Sequence, residues 1–288
     1  MADKKIRVLL VTGPISPDHD PEVIPMLRFM LEYTDRFEVV LTEELRGATS
    51  RTFENYDLLF FTYTGMDQEG IRSWGAETEK AILDFVANGG GAVVYHSVFS
   101  NKNRACSDEY DKFLGFEYSF DVGVRKQPKI DFTVKNCPDS HPIMEGAGPE
   151  WITVQDDLFI WGNQIDPDIK VLMEVWDGEE DYDLTKMLKH RVADYKDLDI
   201  KSLKGINSYA PVAWCHNYGK GRVLATIIGH GPDTIRRPNF VSMIVRGSEW
   251  CATGEVTLPW LDLTGERRRN AWPYYKDIQW RDFYKLKP

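Results

Sequence analysis

The chain opens on a mostly apolar run, Ile6 to Thr12 (IRVLLVT), closed by Gly13-Pro14. Such a run predicts a strand buried on both faces, the mark of a parallel sheet. Asp20-Pro21-Glu22 carries helix-start chemistry, and Val23, Leu27, Met30 and Leu31 keep helical spacing. Pro25 lacks an N–H and moves the start of the regular helix toward itself. Phe37 to Leu41 and Tyr56 to Thr62 predict the second and third strands. Ala76 to Asn88 predicts a helix, with Glu77 and Glu79 in its first turn, Ile82, Phe85 and Val86 on one face, and Gly89 as its stop. Gly91 to Tyr95 is the fourth strand and ends at His96. Strands alternating with helices in this way imply βαβ units and a mainly parallel sheet.

The second half changes pattern. Lys129 to Val134 alternates, which predicts an antiparallel strand, and Ile152 to Trp161 and Lys170 to Val175 are further strand segments. Asp177 to Lys204 is charged and has no apolar period, so it reads as an insertion. Pro211 to His216 and Arg222 to Ile228 flank Asn217-Tyr218-Gly219-Lys220-Gly221, a hairpin with a glycine-containing loop. Asn239 to Cys251 is a second regular helix, stopped by Gly254. The expected organisation is one α/β domain over residues 1–254, with helices flanking a mainly parallel sheet and antiparallel additions in the second half. An aromatic tail over 255–288 is expected to pack on that domain or on a second copy, a homo-oligomer being compatible with the latter.

Composition narrows the function classes. The formal charge of -10 weighs against nucleic acid and anionic membranes as partners, since both need a basic surface. The short run Arg267-Arg268-Arg269 reads as a solvated face of the tail. No apolar stretch approaches the ~18 residues needed to span a bilayer, and the polar start leads straight into a strand, so a cytoplasmic location is expected. Cys106, Cys137, Cys215 and Cys251 are far apart, which fits neither a disulfide framework nor a zinc knuckle. Nine tryptophans and thirteen tyrosines suit a core or a sugar-binding face.

In an open parallel sheet, ligands bind beyond the carboxyl ends of the strands. Strand one is followed by Gly13, Asp18, His19 and Asp20; strand three by Tyr63, Thr64 and Gly65; strand four by His96 and Ser97; the late hairpin strand by His230. Three of the six histidines thus stand at strand exits. His96 lies where α/β hydrolases present their nucleophile. It can act as base, acid or metal ligand, or simply hydrogen-bond a loop carbonyl. His230, before Gly231-Pro232, is a catalytic partner or a turn residue. His19, flanked by aspartates, is a binding group for substrate or cation, or an exposed loop residue. Asp156 and Asp157 sit in VQDDLFIW; strand alternation would let only one of them face a given pocket. His141 in SHPIMEG reads as the fixer of its turn, and His190 and His216 read as solvated or structural. No G-x-S-x-G surrounds Ser97, and Gly89-Gly90-Gly91 leads from a helix into a strand, the reverse of a phosphate loop.

VLLVTG, FVANGGGAVVYH, HPIMEG with VQDDLF, and PVAWCHNYGKGRVLATIIGH with the helix through GSEWCATG together resemble the ThuA-like, trehalose-utilisation family, over about Ile6 to Gly254. The resemblance implies a flavodoxin-like, class I glutamine-amidotransferase-like fold with no cysteine at the strand-four exit. It also implies chemistry on disaccharides and 3-keto sugars. His96, His141, Asp156 and His230 fall on family-pattern positions, while Asp157 stands where the family often has glutamate. The expected catalytic groups are His96, His230 and Asp156. The expected substrate contacts are Gly13, His19, Tyr63, Ser97, Asp157 and Trp161, with Trp74 and Trp151 as further aromatic candidates. The expected partner is a small-molecule carbohydrate, and a divalent metal suits the donor set. A sugar-binding module without catalysis, and a hydrolase of amidotransferase type lacking the thiol, are the other classes the residues allow.

Overall fold

A computed structural model describes residues 4–12, 22–62, 75–96, 107–117, 125–126, 130–160, 163–182, 199–203 and 205–261. The apolar runs become strands β1 (Ile6–Val11), β2 (Phe37–Thr42), β3 (Leu58–Phe61) and β4 (Gly91–Tyr95). Every residue of β3 and β4 is buried, which is why neither strand shows alternation in sequence. Next come short pieces: β5 (Phe116–Glu117), β6 (Arg125–Lys126), β7 (Thr133–Asn136), β8 (Glu150–Ile152), β9 (Phe159–Ile160) and β10 (Asn163–Gln164). β11 (Lys170–Asp177), β12 (Ser208–Tyr218) and β13 (Gly221–Thr226) complete the set.

The main sheet has nine strands in the order β2-β1-β3-β4-β13-β12-β11-β7-β8. The first five run parallel, and the rest pair antiparallel. Because β1, β3, β4 and β13 are parallel neighbours, their carboxyl ends share one side of the molecule, and the strand order reverses at β1. Ligands of such sheets bind at that crevice.

The helices are α1 (Val23–Glu32), α2 (Ser50–Phe53), α3 (Gly75–Ala87), α4 (Asp108–Leu114), α5 (Pro232–Ile235) and α6 (Pro238–Thr253). Pro25 sits in the first turn of α1, where no N–H is required, so the helix starts ahead of it. α6 lies across β4 and β13, with α1 beside it. The chain after α6 folds back over it. The Arg246 guanidinium donates to the carbonyls of Pro142, Ile143 and Leu258, and Leu261 is buried. The first residues of the aromatic tail therefore cover α6; residues 262–288 lie outside the described part. None of the described helices is long and apolar enough to cross a membrane.

Three further expectations change. The predicted strand from Ile152 to Trp161 is two short strands, because Gln155 takes φ +47° and breaks the pleat. The alternating segment starting at Lys129 becomes a strand only from Thr133, with Ile130 making a single bridge to Asp156. The hairpin loop is only Gly219-Lys220, since Asn217 and Tyr218 pair with Arg222 and Gly221. In the 177–204 insertion, residues 179–181 and 200–202 form single 3₁₀ turns, and 183–198 lie outside the described residues.

Candidate functional site

β4 and β13 are parallel neighbours with Tyr95 opposite Thr226, so the residues that leave them emerge side by side. The first residue out of β4 is His96. Its backbone N–H donates to Thr226 O at 2.7 Å, and its φ is +51°. A left-handed backbone at a residue with a Cβ costs roughly 1–2 kcal/mol and concentrates at functional sites. The strain turns the imidazole across the end of β13, where Nδ1 lies 2.8 Å from Ile227 O. A carbonyl only accepts, so Nδ1 carries the hydrogen and, in the neutral ring, Nε2 presents its lone pair.

That lone pair faces His230. His96 Nε2 and His230 Nδ1 are 3.1 Å apart, with the rings edge to face at 5.1 Å between centroids. His230 Nδ1 is also 3.1 Å from Asp157 Oδ2. One hydrogen on His230 Nδ1 therefore lies between two acceptors. The three residues are 2–3% exposed, a burial that makes each polar contact count.

Asp156 organises the cluster from behind. Its carboxylate accepts from Gly229 N at 2.8 Å, His230 N at 2.7 Å and Asp157 N at 2.9 Å. Burial pushes this carboxyl up to about 7, against the three backbone N–H groups that favour its charged form; the charge of Asp157 acts in the same direction as burial. Gly229 takes φ +108°, and a Cβ there would sit 2.8 Å from Phe240 Cζ and 2.9 Å from the Tyr95 hydroxyl. The Tyr95 hydroxyl donates to Gly229 O. Glycine at 229 thus lets the chain pass between Tyr95 and Phe240 and deliver His230 to His96.

The structure brings together four of the residues singled out from sequence: His96, His230, Asp156 and Asp157. The left-handed Gln155 lets both aspartates serve one site, Asp157 through its side chain to the His230 ring and Asp156 through backbone N–H groups. Gly13, His19, Tyr63, Ser97 and Trp161 lie outside the described residues, as do Trp74, Cys106 and His190. Trp151 is a buried residue of β8, opposite Val134 in the core. His141 accepts from Ile143 N at 3.2 Å and packs on Trp250, fixing its turn. His216 is buried between Asp166 Oδ2 at 2.8 Å and Phe113 O at 3.0 Å, a structural tie. Sequence reasoning passed over Tyr95 and Gly229. The signal for Gly229 was present in TIIGHG, a glycine directly before a strand-exit histidine.

The family model for ThuA, trehalose utilisation, matches residues 7–251. The chain belongs to the ThuA family. Among solved structures, a ThuA-like protein of Parabacteroides merdae ATCC 43184 is 22% identical, with TM-score 0.62 over 90% of this chain and 94% of that one. A ThuA-like protein of Bacteroides uniformis ATCC 8492 is 16% identical, with TM-score 0.64 over 89% of this chain and 96% of that one. A β-galactosidase of Rahnella sp. R3 shares the fold across 31% of its own length, covering 85% of this chain at 12% identity and TM-score 0.52. No curated protein matches the chain. ThuA membership associates the chain with trehalose utilisation, and the ThuA-like structures share its mixed α/β sheet with flanking helices.

Proposed function

We propose that this ThuA-family chain is an enzyme acting on a keto sugar derived from a disaccharide, with His96, His230 and Asp157 as its reaction centre. The observation that carries the reading is the 3.1 Å approach of His96 Nε2 and Asp157 Oδ2 to His230 Nδ1, at the ligand-binding end of the sheet. A keto group acidifies the hydrogen on the adjacent carbon. Removing that proton forms an enolate, which is reprotonated at another carbon (isomerisation) or expels a β-substituent (elimination). Both outcomes need a proton acceptor and a positive or proton-donating partner for the enolate oxygen. The histidine pair supplies such a group, because its shared hydrogen can be given up and retaken. Asp157 balances the positive charge that forms on His230 during transfer, as the aspartate does in a catalytic triad. Asp156 holds the backbone of His230 and Asp157 and is a positioning residue. With no cysteine at the β4 exit, a thiol mechanism of amidotransferase type has no nucleophile there.

The test is turnover of a 3-keto disaccharide by wild type and by His96→Asn. Asparagine tolerates the left-handed backbone better than most residues, so the fold is preserved. Loss of one proton-transfer group lowers kcat by about 10²–10⁴-fold, with the melting temperature close to wild type. Wild-type turnover in the variant would overturn the assignment. Retained sugar binding without turnover in either protein would favour a binding module instead.

A further inference from the structure

We infer that the His96–His230–Asp157 centre is built to hold one divalent first-row transition-metal ion, with Zn²⁺ the best fit, through His96 Nε2, His230 Nδ1 and Asp157 Oδ2. This rests on the reaction centre proposed above and assigns it a cofactor. Four observations converge on it. One donor atom from each of His96, Asp157 and His230 lies within 4.8 Å of the other two, and the residues come from three separate segments of the fold. Two imidazole nitrogens with one carboxylate oxygen make up the three-protein-ligand set of catalytic zinc sites, which leave the remaining position for water or substrate. Imidazole donors also select against Mg²⁺ and Ca²⁺, which take oxygen ligands.

Spacing agrees. Zinc bonds of about 2.0–2.1 Å place neighbouring tetrahedral ligands about 3.4 Å apart. The 3.1 Å separations on either side of His230 Nδ1 need only a few tenths of an ångström to open. The surroundings are those of a ligand set rather than of a chance contact. The Ile227 carbonyl accepts from His96 Nδ1 and so aims the lone pair of Nε2 inward, the usual way a protein orients a metal-binding imidazole. Asp156 grips the backbone of the other two ligand residues, His230 and Asp157. Finally, the Asp157 carboxylate is buried, and a divalent ion is a fitting counter-charge for a buried carboxylate.

Binding displaces the hydrogen from His230 Nδ1 to Nε2, so that the ring stays neutral and offers its Nδ1 lone pair to the ion. With the ion in place the two histidines are ligands. The ion would then supply the positive partner that the enolate oxygen needs, in place of the shared hydrogen that the ion-free centre offers.

The experiment uses the full-length protein, purified without chelator and then stripped with one. Elemental analysis as purified and titration of the stripped protein with Zn²⁺ and with Co²⁺ give stoichiometry and affinity. The visible spectrum of the cobalt form reports the nitrogen and oxygen donors. The expected result is one ion per chain, with affinity reduced at least about 100-fold in both Asp157→Asn and His96→Asn, a larger loss than that of an outer-shell change. No stoichiometric binding by folded wild-type protein would overturn the proposal, whatever the variants do. Unchanged affinity in both folded variants would place the ion elsewhere and overturn it equally. Keto-disaccharide turnover on the same samples separates the two readings. Full turnover by stripped protein would refute the metal and leave the reaction centre. One tightly bound ion lost in both variants, with no turnover of keto disaccharides, would leave the metal site and refute the substrate class.

Discussion

Gly229→Ala tests whether the path of the chain into His230 needs a missing side chain. Two costs add. At φ +108° a residue with a Cβ sits in backbone space nearly reserved for glycine, worth about 1–3 kcal/mol. The new methyl would also lie 2.8 Å from Phe240 Cζ and 2.9 Å from the Tyr95 hydroxyl, and overpacking of this kind costs about 1–3 kcal/mol. Both neighbours are buried, so neither moves aside freely. The total is about 2–6 kcal/mol if the two effects are independent. Relaxation would come from the loop itself, through the Gly229 N–H held by Asp156 and the Gly229 carbonyl held by Tyr95. That relaxation displaces His230 from His96. Urea unfolding gives the stability change, and turnover of a keto disaccharide gives the displacement. Tyr95→Phe provides the comparison: it removes the hydrogen bond to Gly229 O without adding bulk and should cost only about 0.5–1.5 kcal/mol. A Gly229→Ala protein within 0.5 kcal/mol of wild type (about the scatter of ordinary surface changes) and with full activity would show that the chain passes between Tyr95 and Phe240 without needing glycine.

Three further outcomes are expected. Asp156→Asn keeps the shape but sets an amide N–H against a backbone N–H among Gly229, His230 and Asp157, so unfolding free energy should drop by about 1–3 kcal/mol; a stability equal to wild type would show the carboxylate to be dispensable. Glu249 is buried at the end of α6 and accepts from Arg36, from the Thr257 backbone and hydroxyl, and from Leu258 N. Burial pushes its carboxyl up, but the hydrogen bonds from Thr257, Leu258 and Arg36 outweigh it and hold the group below its ordinary value. A depressed carboxylate stabilises the fold above the unfolded value, and that contribution is lost as pH falls through the folded one. Glu249→Gln should therefore cost about 2–4 kcal/mol at neutral pH, and the gap in melting temperature from wild type should narrow in acid; a gap independent of pH would contradict the charge-based account. Trp214→Phe leaves the Leu114 carbonyl, which accepts from the indole at 2.8 Å, buried without that donor, at a cost of about 1–3 kcal/mol by thermal unfolding; a shift of zero would show that another donor replaces it.

The parallel half of the sheet was legible because burial on both faces writes itself into composition: IRVLLV, LLFF and GAVVY have few other uses. β4 was placed to the residue. Strand-exit logic also selected His96 and His230, since parallel neighbours must release their chains at the same end. What sequence could not show was which aspartate meets the ring. That depends on one left-handed residue, Gln155, which ends the strand pattern that alternation assumes. Nor could it show that Asn217 and Tyr218 stay in the hairpin, because a turn length is set by the register of β12 on β13. The role of Gly229 depends on Phe240 and Tyr95, which are distant in sequence and adjacent only in the fold.

A kinetic double-mutant cycle over His96 and His230, using His96→Asn, His230→Ala and the double variant on a 3-keto disaccharide, is the most direct test of a shared reaction centre. Residues that act as one unit are non-additive. Each single change should reduce kcat/KM by about 10²–10⁴-fold, and the double variant should fall no further than the worse single one. Losses that multiply, or single variants within a few-fold of wild type, would contradict a common centre at the ends of β4 and β13.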